Sequence, residues 1–221
     1  LKDTGFYFDT TNPYRPKFLK SNRAVLSSIA DEVRAKPDGG FFITYMGSAV
    51  GTTPGRLIET DANFDIIHEW PEDVEGTLNI LGEQFSPHGL SIDWKNKFIL
   101  TSDFVEPISI LKPTLGVRHA NTLRLWDLDS RKILNTLTIP DVSIQNEYLP
   151  PNVQLLTMQQ GGGIQDVKFI PNHPEAAALA TAVHLGQVWV IYPLRKDANG
   201  KQGVVELLYD LGPKARDTVA I

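Results

Sequence analysis

Cysteine is absent from all 221 residues. That excludes disulfides, thiolate metal ligands and a cysteine nucleophile. Long basic runs are missing too: no stretch of consecutive Lys and Arg exceeds two residues, the formal net charge is −5 and the pI is near 5.5. Nucleic-acid surfaces need clustered positive charge, so no nucleic-acid partner is expected. No window approaches the uninterrupted apolar length of a transmembrane helix, about 18 residues or more, so no membrane span is expected. No secretory leader is visible, and the expected compartment is cytoplasmic. The chain opens on Leu1 inside a strand-like run; a longer protein, or missing ends, is the expectation. What is present is a hydrophobic content of 42%, enough to bury a core.

The chain is organised around Ser86–Phe104. This stretch reads as two strands, Gly89–Trp94 and Lys97–Asp103, joined by a polar turn at Lys95-Asn96. A second copy lies upstream in Asp31–Thr44. Setting Phe41-Phe-Ile-Thr44 on Phe98-Ile-Leu-Thr101 gives an offset of 57 and places Asp31 against His88. A looser third copy is Gln165–Thr181, with Val167 answering Leu90 and Gln165 answering His88. A strand–turn–strand unit recurring at such a period indicates one supersecondary unit copied several times.

Each unit continues with two more strands. The first adds 56–61 and 66–70, the second 122–128 and 133–139, the third 187–192 and 204–209. Ahead of them, 6–10 and 16–20 read as a strand pair closing an incomplete unit, with Ser21–Ser28 as a connection. Four antiparallel strands per unit define an all-β fold, a β-propeller, with blades at about 1–20 (incomplete), 29–70, 87–139 and 164–210. That is about three and a half blades of a seven-bladed ring. A two-sheet sandwich is the rival, but it does not generate a four-strand repeat. The Leu125-Trp-Asp-Leu128 ending fits the third strand of a blade. Gly47–Gly55 reads as a small-residue rim loop, Val105–Ala120 as an insertion, and Pro140–Gly163 as a long loop.

The repeat also nominates a site. In a propeller the first strand of each blade lines the central channel. Asp31, His88 and Gln165 hold equivalent positions at those strands, so they are expected to converge at one mouth. A neutral imidazole there suits a metal ligand or a general base; the bland alternative is that the three satisfy backbone groups or buried water. Arg34, Asp103 and His119 are secondary candidates for substrate contacts. His184 is expected at the opposite end from His88, His68 on the surface and His173 in a turn.

Ser86-Pro-His-Gly-Leu90, Leu100–Pro107 and Thr122–Leu128, in this order and with Pro54-Gly-Arg-Leu57 and Lys132–Leu137, resemble the selenium-binding protein family, which includes methanethiol oxidases. The similarity spans about residues 6–210. It implies a propeller roughly twice as long, a small thiol as substrate, and copper bound through histidines, with His88 as the residue that carries over. Where a His-x-x-His pair is expected ahead of Pro37-Asp-Gly39, this chain has Asp31 and Arg34. Three readings stand: a methanethiol-oxidase-like oxidoreductase; a metal-free cyclase or isomerase using the channel, with Asp31 and His88 as an acid–base pair; and a non-catalytic binding or scaffold propeller.

Overall fold

The computed structural model describes residues 3–73, 84–111, 117–140 and 162–215. Most of the Pro140–Gly163 loop, residues 141–161, lies outside the described residues. Strands β1 (Gly5–Asp9) and β2 (Lys17–Asn22) form an antiparallel pair. Three four-stranded antiparallel sheets follow. Blade 1 holds β3 (Ser27–Ala35), β4 (Phe41–Ser48), β5 (Arg56–Thr60) and β6 (Ile66–Trp70). Blade 2 holds β7 (Pro87–Asp93), β8 (Phe98–Asp103), β9 (Thr122–Asp127) and β10 (Ile133–Thr138). Blade 3 holds β11 (Ile164–Phe169), β12 (Ala178–Ala182), β13 (Gln187–Lys196) and β14 (Gln202–Asp210). Within each sheet, sequence neighbours are spatial neighbours, and β7 packs between β3 and β11. These are propeller blades. The Ser21–Ser28 segment is less of a connection than expected: β2 reaches Asn22, and β3 starts at Ser27, where it pairs with Ser48. One short helix, α1 (Pro107–Leu111), lies in the Val105–Ala120 insertion. No described helix is long and apolar enough to cross a membrane.

Side-chain alternation on β9 shows how blades hold together. Leu123 and Leu125 face blade 3 in a cluster with Ile164, Val167 and Ala180. Trp126 and Leu128 face blade 1 in a cluster with Phe42, Leu57 and Phe85. Both faces are therefore core, and Trp126 is fully buried with its Nε1 donating to Thr101 Oγ1 at 3.0 Å. Truncating such a Trp costs about 3–5 kcal/mol.

The seam between blades 1 and 2 also carries a buried charge cluster. Glu59 accepts from Lys36 Nζ at 3.0 Å, from Arg131 Nε at 3.0 Å and Nη2 at 2.7 Å, and from Trp70 Nε1 at 3.2 Å. Arg131 and Lys36 both lie over the Phe42 ring, at 4.8 and 5.7 Å from its centroid. Burial alone would push the Glu59 carboxyl up. Hydrogen bonds and charge from Arg131 and Lys36 outweigh it and hold the group down at about 2.

Candidate functional site

A local irregularity is shared by the first strands of the three described blades. On β3, Ala30 pairs with Tyr45 and Val33 with Ile43, so Asp31 and Glu32 together oppose Thr44. On β7, Pro87 pairs with Asp103 and Leu90 with Thr101, so His88 and Gly89 oppose Ser102. On β11, Ile164 pairs with Ala182 and Asp166 with Thr181, which leaves Gln165 as the extra residue. Each is a β-bulge, a device that re-aims a side chain and recurs beside functional sites. The first-strand offset of 57 between Asp31 and His88 survives, but the second strands are displaced by one: Thr44 answers Ser102, where the sequence repeat had set Thr44 on Thr101.

The bulges bring Asp31, Glu32, His88, Gln165 and Asp166 around one cavity of about 270 Å³. His88 Nδ1 lies 2.8 Å from Asp31 Oδ2, across the seam between blades. The two are close but not aligned as a hydrogen bond, and Nδ1 is buried without another partner among the described residues. Such contacts commonly tighten only once a ligand is bound. Phe104 meets the His88 ring edge-on at 4.9 Å.

Of the carboxylates, Glu32 and Asp166 are already committed. Glu32 accepts from Lys168 Nζ at 2.7 Å, and also from the Arg34 guanidinium and the Leu90 amide. Asp166 accepts from Val167 N at 2.9 Å and pairs with Lys168. Among the described residues the Asp31 carboxylate pairs only with His88, and the Gln165 side chain makes no hydrogen bond. Neither Glu32 nor Asp166 was nominated from sequence. Both sit one residue after a nominated position, and a bulge at each blade entrance was the missing signal.

The secondary candidates fall elsewhere. Arg34 is held by Glu32 and by Val33 O at 3.0 Å and does not line the cavity. Asp103 is buried within blade 2, paired with the equally buried Arg124 and accepting Ser86 N at 2.9 Å. Burial pushes its carboxyl up, against the pull of the Arg124 charge and the Thr122 hydroxyl. It is tied into the fold and does not reach the cavity. His119 is half-buried at the same mouth but one ring removed from His88, with Phe104 between them. His184 corrects the expectation of an opposite end: its ring stacks on His119 at 4.1 Å and 15°. In an antiparallel hairpin the second strand returns to the end where the first began. The Val183–Leu185 turn after β12 therefore lies at the Gln165 end. Main-chain bonds from Ala120 N to Phe104 O, Gly163 N to Ala120 O and Val183 N to Gly163 O lace these loops together. Gly163 has φ +60°, and a Cβ there would meet His119 Cδ2 at 2.9 Å.

The donors that the described residues bring to this mouth do not fit copper. Copper prefers several imidazoles around one point. Phe104 stands between His88 and the His119–His184 stack, and Glu32 and Asp166 are taken up by cations. Among the described residues no three His, Asp or Glu side chains gather as a metal group.

No family model matches the chain, and no curated protein does. Among solved structures, the chain is similar to a hypothetical selenium-binding protein from Sulfolobus tokodaii, with a TM-score of 0.66 and 18% identity over 93% of this chain and 42% of that one. It thus spans about two-fifths of that protein's length. Dihydro-heme d1 dehydrogenase NirN also matches, with a TM-score of 0.48 and 11% identity, covering 88% of this chain and 31% of that one. The Sulfolobus similarity shows the propeller fold.

Proposed function

We propose that the channel mouth is a metal-free small-molecule site of the cyclase or isomerase type, in which His88 moves a proton and Asp31 orients it. The observation that carries this reading is the 2.8 Å approach of Asp31 Oδ2 to His88 Nδ1 at the wall of the cavity. A carboxylate at Nδ1 favours the tautomer with its proton there. That leaves the Nε2 lone pair to take a proton from a bound molecule and return it to another atom. The imidazolium formed in between is compensated by Asp31. Gln165, whose side-chain amide and carbonyl make no hydrogen bond among the described residues, is suited to hold the ligand. A positioned acid–base group typically contributes about 10²–10⁴-fold in rate.

The thiol-oxidase reading requires copper and is the reading to test against. Copper content of the purified protein and oxygen-dependent consumption of methanethiol should both be measured, with His88→Ala in parallel. The expected result is copper far below one per chain and no thiol oxidation. Stoichiometric copper that is lost in His88→Ala would overturn the metal-free reading in favour of the oxidase.

A further inference from the structure

The three bulges are alike in backbone but not in what their hydroxyl residues do. Thr181 accepts Asp166 N at 3.3 Å within its own blade. Ser102 Oγ is buried without a partner among the described residues. Thr44, fully buried, does more: its Oγ1 accepts Glu32 N at 3.0 Å and donates across the seam to His88 O at 2.6 Å. The competing acceptor, Glu32 O, is farther at 3.4 Å, so the single hydroxyl proton belongs to His88. Two residues on, the Glu32 carboxylate receives the Leu90 amide. The segment His88-Gly89-Leu90 is thus gripped at both ends by blade 1, the blade that carries Asp31.

We infer that Thr44 and Glu32 are positioning residues that hold His88 in front of Asp31. The inference rests on the proposed acid–base pair and explains how it is held across a seam between two sheets. No covalent bond or shared hairpin joins His88 to Asp31. Their 2.8 Å separation depends on the register of blade 2 against blade 1. Hydrophobic contacts fill that seam but are not directional, whereas a hydrogen bond to a buried carbonyl sets position. Glu32 performs this task while Lys168 and Arg34 neutralise it, so it adds no net charge that competes with Asp31 for the imidazole.

The test reads His88 itself, by long-range proton–nitrogen correlation of the imidazole in histidine-labelled protein. Wild type is expected to show one tautomer, protonated at Nδ1. Asp31→Asn should change that pattern, and Thr44→Val should change it as well, while Thr44→Ser retains it. Thr60→Val is the control: Thr60 is also fully buried in blade 1, but its hydroxyl accepts Phe41 N at 2.9 Å, within blade 1 and three residues along β4 from Thr44. It should lower the melting temperature and leave the His88 pattern intact. A folded Thr44→Val with the wild-type pattern, beside an Asp31→Asn that differs, overturns the latch and leaves the acid–base pair standing. An unchanged pattern in Asp31→Asn overturns both. If Thr44→Val does not fold, hydrogen exchange in wild type decides. Protection of the Glu32 and Leu90 amides by about 100-fold or more supports the latch, and unprotected amides overturn it.

Discussion

Two charged clusters bridge blades 1 and 2, and they are built to opposite ends. Around Glu59 every lone pair is used: two cations and an indole converge on one buried carboxylate, and an aromatic ring floors the cations. Around Asp31 and His88 the pairing is incomplete. The imidazole approaches the carboxylate out of line, and the Gln165 side chain at the cavity makes no hydrogen bond among the described residues. A saturated cluster contributes to holding the seam and has no capacity left for a ligand. An unsaturated one beside a cavity contributes little to stability and keeps its donors and acceptors available. The difference separates scaffold from candidate site more clearly than charge or burial does.

The comparison breaks most visibly at Glu59. Glu59→Ala strands Lys36 and Arg131 without their counter-charge, and removing one partner of a buried pair costs about 3–5 kcal/mol. Urea unfolding should show that loss, and a change below 1 kcal/mol would mean the cluster is not structural. Acid gives a related measurement of similar size. Glu59 is held at about 2, below its ordinary 4.5, so its contribution is complete above 4.5 and disappears as the pH falls towards 2. A depression of this size corresponds to about 3 kcal/mol. Glu59→Gln should flatten that part of the stability–pH curve, and a curve parallel to wild type would count against the assignment.

Gly89→Ala comes next. A Cβ there would sit 2.9 Å from both Asp166 Cα and Val167 N, main-chain atoms that cannot step aside, and 2.5 Å from Ser102 Oγ. Overpacking of this kind costs about 1–3 kcal/mol, to be read as a lowered urea midpoint. An unchanged midpoint would show that blades 2 and 3 can separate at no cost. The smallest stability effect belongs to the site. Asp31→Asn and His88→Gln should each stay within about 1 kcal/mol of wild type, the range of partly exposed pairs. Once a substrate is in hand, either variant should lower turnover by about 10²-fold or more. A large stability loss with unaltered turnover would move this pair into the scaffold class.

Much of this could be read from residues alone, for reasons that are local. Alternation and turn chemistry are short-range, so the strands and the four-strand repeat were legible. Once the repeat was aligned, placing Asp31, His88 and Gln165 at equivalent positions needed only their spacing. Glu32 and Asp166 escaped notice because alternation assigns successive residues to opposite faces, and a bulge suspends that rule for one step. Arg34 was nominated because it stands, with Asp31, where the resemblance expects a His-x-x-His pair, and Asp103 because it ends the second strand of its blade. Their real partners, Glu32 and Arg124, are set by how strands register.

Sequence by itself determined the blades: hydrophobic period, glycine turns and a repeated unit leave little else for these residues to form. Only the tertiary structure decided how blade 1 meets blade 2. That meeting makes Glu59 a clamp, brings Thr44 to the His88 carbonyl, and sets His184 on His119 at the mouth. The physical reason is directionality. Burying apolar surface says that two sheets will pack, and it scarcely distinguishes one register from the next. Hydrogen bonds and ion pairs between residues far apart in the chain select one register, and those pairings do not exist until the sheets are face to face.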